Sequence, residues 1–319
     1  MTRIAVILLL SAVACVHAGA QPYPDKPVRV LVGFPPGAGI DISVRLVCVR
    51  LSETFSRQFV VDNRAGAGGN IAVEMAAHAP PDGYTLLGLT SGAVIAQSAY
   101  RKVPFDVEKD LAPVGMIAIA PLILTAHPSV AAKSLKELVA LAKAKPGQLS
   151  YATPGTGTAP HVAGELLKLE LGIDLLHVPY KGNAPAIADV VGGNVLLSFS
   201  NILTALPQVK SGRLRPIAVT SLKRSEIAPD IPTVAESGVP GFEAGTWYGI
   251  AAPAGTPRPI VDRLNSAIVR AVQLPDTREK LLAQGAEPMT GSAEQMGQFV
   301  RAEITRWAKV VKAANIRLD

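Results

Sequence analysis

Two stretches of this 319-residue chain carry the residue types that hold an anion without transforming it. The first is Phe34–Asp41 (F-P-P-G-A-G-I-D), a Pro-Pro-Gly-Ala-Gly loop between a β-branched run and a helical pattern that Asp41 opens. The second is Thr153–His161 (T-P-G-T-G-T-A-P-H), where two glycines again stand one residue apart. Thr153, Thr156 and Thr158 add hydroxyls there, and Pro160 suits the first turn of the next helix. A strand that ends in such a loop and restarts as a helix leaves several backbone N–H groups unpaired at one point. The helix dipole adds partial positive charge, so that point can hold a carboxylate or a phosphate. Either stretch taken alone is also an ordinary strand-to-helix connection.

Catalytic readings of the same residues are weak. Ser91 and Thr153 sit at strand ends, where a nucleophile paired with His161 would make a hydrolase. However, no G-x-S-x-G elbow occurs, and a histidine three residues past Thr158 at a helix start reads better as a partner of the preceding loop. Asp41 has no evident second carboxylate. Beyond residue 20, His78, His127, His161, His177 and Cys48 lack metal-ligand spacing. Gly37-x-Gly39 lacks the third glycine of a dinucleotide fingerprint, and Ala65–Asn70 lacks the Lys-Ser/Thr of a P-loop. No catalytic residue, metal or cofactor is therefore expected. What remains is backbone N–H groups plus the hydroxyls of Thr90, Ser91, Thr153, Thr156 and Thr158. Two such loops facing each other would grip both ends of a small organic acid.

The elements around these loops alternate. Strands are expected at Val28–Val32, Phe59–Asn63, Tyr84–Leu89, Leu149–Ala152, Leu175–Val178, Asn194–Ser200, Leu214–Thr220 and Thr246–Pro253. Helical patterns lie between them, which implies a largely parallel sheet covered on both faces. Asn201–Lys210 reads as an amphipathic turn, Ser225–Gly245 as irregular, and the C-terminal part as helices at about Pro259–Val272, Asp276–Gln284 and Ser292–Ala314. Ser134 with Glu137, Asp276 with Glu279 and Ser292 with Gln295 mark helix starts. Val114–Thr125 is a long apolar run broken by Pro121. Together with Thr246–Pro253 it gives two passages between lobes. The expected division is 1–20 as a leader, 21–123 plus 245–319 as one lobe and 124–244 as the other.

Composition narrows the partners. Hydrophobic residues make up 49% of the chain, enough for a large core, and the formal charge is +6. The basic residues are scattered and aromatics are few, which argues against a nucleic-acid surface. Arg3, the apolar Ile4–Val16 and Ala18-Gly19-Ala20 have the form of a secretory signal cleaved near Ala20/Gln21. A lipid anchor on Cys15 is disfavoured, because Ala12 stands where a lipobox has leucine. Export to the periplasm follows as the expectation, with Cys48 left as a single buried thiol and the mature protein a monomer.

The motifs become specific when taken together. Phe34–Asp41, V-D-N-R-A-G-A-G-G-N (Val61–Asn70), P-D-G-Y-T-L-L (Pro81–Leu87), Y-A-T-P-G-T-G-T (Tyr151–Thr158) with His161, and H-V-P-Y-K-G (His177–Gly182) form an ordered series. G-R-L-R-P-I-A-V-T-S (Gly212–Ser221), P-D-I-P-T-V-A-E-S-G (Pro229–Gly238) and W-Y-G-I-A-A-P-A-G-T-P (Trp247–Pro257) continue it. In this order, over essentially the whole chain after the leader, they resemble the periplasmic substrate-binding receptors of tripartite tricarboxylate transporters, the TctC or Bug family. The resemblance implies an α/β, two-lobed periplasmic-binding-protein (type II-like) fold with a two-strand hinge and an interlobe ligand cleft. It further implies a small-carboxylate ligand and delivery to membrane permease subunits, a sensor kinase being the alternative partner. Carried over by motif, Phe34, Pro36, Gly37, Ala38, Gly39 and Asp41 would form one jaw, to which waters often bridge the ligand in the family. Thr153, Gly155, Thr156, Gly157, Thr158 and His161 would form the other. Thr90, Ser91, Lys181, Gly182, Asn183 and Asn201 would be adjoining walls. Ala38 departs from the family's usual P-P-G-G-G-x-D, and a methyl group there is expected to restrict φ and narrow the jaw. Gly88–Tyr100 and Val195–Asn201, which the resemblance places on the specificity side of the cleft, also differ from the common forms.

Overall fold

The computed structural model describes residues 23–318; the expected leader lies outside them. β1 (Val28–Val32) has the near-continuous apolar sequence of a strand covered on both faces. It pairs in parallel with β2 (Phe59–Asn63) and β3 (Thr85–Thr90). Helices α1 (Gly39–Phe55) and α2 (Asn70–Ala77) make the crossovers, α2 entered through a single 3₁₀ turn at Ala67–Gly69. After β3 come α3 (Ser91–Ala99), the short α4 (Val107–Asp110) and the sixteen-residue β4 (Leu111–Ala126). The pattern then repeats: α5 (Leu135–Ala144), β5 (Ser150–Thr153), α6 (Ala159–Leu171), β6 (Leu176–Pro179), α7 (Asn183–Val191), β7 (Leu197–Asn201), α8 (Ile202–Lys210) and β8 (Arg215–Val219). The chain closes with β9 (Gly245–Pro253), α9 (Arg258–Gln273), α10 (Pro275–Ala283), β10 (Glu287–Pro288) and α11 (Ala293–Ala313).

The strands lie in the order β2-β1-β3-β9-β4-β7-β5-β6, with β8 and β10 also paired to β4. β4 serves two halves of this curled mixed sheet. Its residues up to Pro121 pair with β9, and from Leu122 onward they pair with β7 and β8. Proline carries no N–H for a ladder, so it sits where one partner strand ends and the next begins. The buried Thr220 ties this point together. Leu122 N–H donates to Thr220 Oγ1 (2.9 Å), and the hydroxyl lies 2.6 Å from Ala244 O, just before β9 begins. Thr246–Pro253 pairs only with β3 and β4, so the chain's return passage comes ahead of it, at Ala244. The result is a two-lobed α/β fold whose halves are joined by β4 at Pro121 and Leu122 and by the backbone at Ala244.

Helix α11 spans the seam. It packs on α3 and β4 on one side and on α6 on the other. Buried Glu303 accepts from the indole N–H groups of both Trp247 (2.9 Å) and Trp307 (2.8 Å), which fixes the helix to β9.

Several local expectations are corrected. Helix α3 is not singled out from the sequence, because Ser91, Ala93, Val94, Ile95, Ala96 and Ala99 are all buried and leave it no amphipathic signature. Asn201–Lys210 is a helix after its first residue, with Ile202, Ala205 and Leu206 as its buried face. Asp276 is inside the first turn of α10, whose cap is Leu274. Ser134 caps α5, but Glu137 reaches back to Lys133 N–H and not to Ser134. Ser292 and Gln295 form the complete reciprocal box.

Candidate ligand-binding cleft

A cleft of about 490 Å³ opens between the two halves. Six helices begin on it. Ala38 and Gly39 bring the start of α1, Asn70 that of α2, and Thr90 and Ser91 that of α3. From the other half come Thr158 and Ala159 for α6, Gly182 and Asn183 for α7, and Asn201 for α8. Only Thr90 caps its helix with a side chain, accepting from Gly92 N–H (3.1 Å). The other five starts have no side-chain cap. Of the five helices that begin elsewhere, α4, α5 and α11 are capped by Asp106, Ser134 and Ser292, whereas α9 and α10, which open on prolines, have no side-chain cap. First-turn N–H groups are therefore left open toward the cleft.

No Asp, Glu, Lys, Arg or His side chain is among the described residues that line it. The side-chain oxygens of Asn70, Asn183 and Asn201 are buried without a partner, so each amide can rotate to present its NH₂. An anion entering this space meets N–H dipoles, hydroxyls and amides, and no opposing carboxylate.

The two jaw loops are shaped by residues behind the surface. In the first, Gly37 has φ +86° and donates its N–H to Asp41 Oδ2 (2.9 Å). Asp41, 2% exposed, also accepts from Arg45 Nε (2.9 Å) and Asn63 Nδ2 (2.8 Å), and the same Asn63 amide holds Phe34 O (2.9 Å). Burial alone would raise the Asp41 pKa, but these donors outweigh it and hold the carboxyl below its usual range.

In the second jaw, Gly157 has φ +75° and donates its N–H to His161 Nδ1 (3.0 Å). The His161 ring stacks on His177 at 3.9 Å, and His177 Nε2 lies 2.7 Å from Thr153 Oγ1. Burial pushes both imidazoles down to about 4, so they are neutral at pH 7.

Of the residues singled out from sequence, Phe34, Ala38, Gly39, Thr90, Ser91, Thr156, Gly157, Thr158, Gly182, Asn183 and Asn201 come together on the cleft. Pro36, Gly37, Asp41, Thr153, Gly155, His161 and Lys181 do not line it. Asp41 and His161 stand behind the loops, each holding a glycine N–H. Thr153 is buried and turned to His177, and Thr158 Oγ1 donates to Gly155 O (2.7 Å). The φ restriction expected of Ala38 costs the loop nothing, because its φ is −66° and the left-handed residue is Gly37. The sequence reading missed Ala67, Gly68 and Asn70, although β2, its glycine loop and α2 repeat the jaw pattern. Tyr100 lines the cleft at the end of the Gly88–Tyr100 stretch expected on its specificity side, whereas Tyr248 and Leu318 were missed. Tyr248 is the reason Gly39 is a glycine, since a Cβ there would lie 2.6 Å from the Tyr248 hydroxyl.

Comparison with known proteins agrees with this architecture. The model of the tripartite tricarboxylate transporter family receptor matches residues 43–316. Protein BugT of Bordetella pertussis is 38% identical over 323 aligned positions, covering 100% of this chain and 99% of that one. Among solved structures, R. palustris Rpa4515 with adipate is 38% identical, with a TM-score of 0.78 over 92% of this chain and 99% of that one. MatC of Rhodopseudomonas palustris with bound malate is 33% identical, with a TM-score of 0.74 over 91% and 100%. The chain belongs to the tripartite tricarboxylate transporter receptor family of solute-binding proteins.

Proposed function

We propose that this protein is an exported receptor that captures a small organic carboxylate between its lobes, 21–123 plus 245–319 and 124–244, and delivers it to tripartite permease subunits. The observation that carries the reading is the convergence of six helix starts, five of them without a side-chain cap, on a cleft lined by no carboxylate. Each helix start favours an anion by about 0.3–1 kcal/mol when exposed and up to about 2 kcal/mol when partly buried. Charge-assisted bonds from N–H and O–H groups add to this and fix the carboxylate's orientation. The adipate and malate held by the two solved relatives are ligands of this class. Because the ligand touches both lobes only when they are together, it shifts the hinge toward the closed form.

Binding without turnover is supported by where the histidine candidate sits. His161 Nδ1 is occupied by the Gly157 N–H, and the Thr153 hydroxyl meets His177. A melting-temperature screen of mono-, di- and tricarboxylates tests the reading, since a ligand that binds only the native state raises the melting temperature. A rise with at least one small carboxylate, without product formed, is expected; no rise with any of them would overturn it.

A further inference from the structure

The segment that follows α11 reaches the cleft through Leu318. Beyond α11 the backbone turns at Asn315 (φ +49°) and returns along α3, where Leu318 N–H donates to Ala99 O (2.9 Å) and Leu318 bridges Tyr100. This anchor sets the Leu318 side chain into the cleft lining with Ala96 and Tyr100. It also sets it against the second jaw: a Cβ built on Gly157 would fall 2.3 Å from Leu318 Cδ1.

Helix α3 supplies a direction. Thr90, Ser91 and Gly92 at its start, Ala96 in its middle and Tyr100 at its end all line the same cleft. Its nine residues span about 13 Å at 1.5 Å per residue. A helix favours negative charge at its start and disfavours it at its end. The cleft along α3 therefore runs from an anion-holding start at Ser91 to the helix's far end, where Ala96, Tyr100 and Leu318 bring carbon surface beside Gly157 of the second jaw.

We infer that Leu318 is a specificity-determining residue: it is the end-stop that sets how long an apolar body a bound carboxylate can carry. This rests on the carboxylate reading above. The bound acid lies along α3 with a carboxylate at the Ser91 start and its uncharged end against Leu318.

The test is calorimetry with straight-chain monocarboxylates from butanoate to octanoate and dicarboxylates of the same lengths. Wild type is compared with Leu318→Ala and Leu318→Trp, whose melting temperatures are checked against it. For wild type, affinity should rise with chain length and then drop where the chain meets Leu318. Leu318→Ala should move the optimum to longer acids and weaken the acid that fits wild type best by about tenfold, the usual effect of mismatch in a fitted apolar pocket. Leu318→Trp should move the optimum to shorter acids. An optimum at the same length in all three proteins overturns the inference and leaves the carboxylate reading standing. Failure of wild type to bind any acid of either series overturns the inference, while the carboxylate reading falls only if the melting screen of mono-, di- and tricarboxylates also shows no ligand.

Discussion

In both jaws of the cleft a glycine with left-handed φ stands two residues ahead of a helix and donates its N–H to the third helical side chain. Gly37 donates to Asp41 and Gly157 to His161. The acceptors differ in kind. Asp41 is an ionised carboxylate held by Arg45 and Asn63, whereas His161 is a neutral imidazole stacked on His177 in a buried setting. The same backbone shape is thus reached once by a charged network and once by a neutral one. Hydrogen bonds to a charged group are roughly twice as strong as neutral ones, so the first jaw should be the more firmly held.

The largest expected effect comes from Asp41→Ala. It leaves the Gly37 N–H without its acceptor and separates Arg45 and Asn63 from their shared partner, with an expected loss of about 2–3 kcal/mol in urea unfolding. Affinity for a carboxylate should fall by at least about tenfold, since about 1.4 kcal/mol of misplaced jaw suffices. Unchanged affinity in calorimetry would mean that Asp41 does not shape the jaw.

Acid should separate the jaws next. An unfolded histidine takes up a proton near pH 6.5, while His161 and His177 are held to about 4 by burial. Between those values the unfolded chain binds more protons than the native one, so stability falls as pH drops from about 6.5 toward 4. For the buried His161 alone the slope should approach about 1 kcal/mol per pH unit. Asp41 has a lowered pKa, so its contribution survives through this window and is lost only below it. Unfolding followed from pH 7 to 4.5 should show the slope, and His161→Phe should flatten it. A slope unchanged by that substitution would assign the effect elsewhere.

Smaller again is the effect of His161→Phe at pH 7. The phenyl ring keeps the stack on His177 and removes only the acceptor for Gly157, so the expected cost is about 0.5–1.5 kcal/mol. A loss as large as that of Asp41→Ala would erase the distinction between the jaws.

The smallest change is Ala38→Ser, which offers α1 the cap it lacks. Stability should rise by about 0.5–1 kcal/mol while carboxylate affinity falls, because the hydroxyl competes for the same N–H groups. Affinity that rises together with stability would show that the open helix start is not a ligand contact.

Much of this was legible in the sequence. Pro-Pro-Gly-Ala-Gly and Pro-Gly-Thr-Gly-Thr ahead of helical periodicity identify both jaws, because the turn, the helix start and the unpaired N–H groups are local consequences of residue order. What Asp41 and His161 hold is local too, each reaching back four residues. The rest is not local. Helix α3 carries no periodic signal because it is buried nearly all round, so Gly88–Tyr100 reads as a specificity stretch but not as a helix ending at Tyr100. Leu318 reaches the cleft only through its bonding along Ala99 and Tyr100, more than two hundred residues earlier in the chain. Pro121 reads as a break in an apolar run, and only the pairing shows that the strand passes through it while changing partners.

In the proposed reading, backbone N–H groups at open helix starts hold the ligand by its negative charge. Calorimetry with the tightest carboxylate from the melting screen, beside its neutral amide of the same shape, tests this most directly. The carboxylate should bind, and the amide at least about a hundredfold more weakly, a difference of about 2.8 kcal/mol. Equal affinity for the two would contradict it.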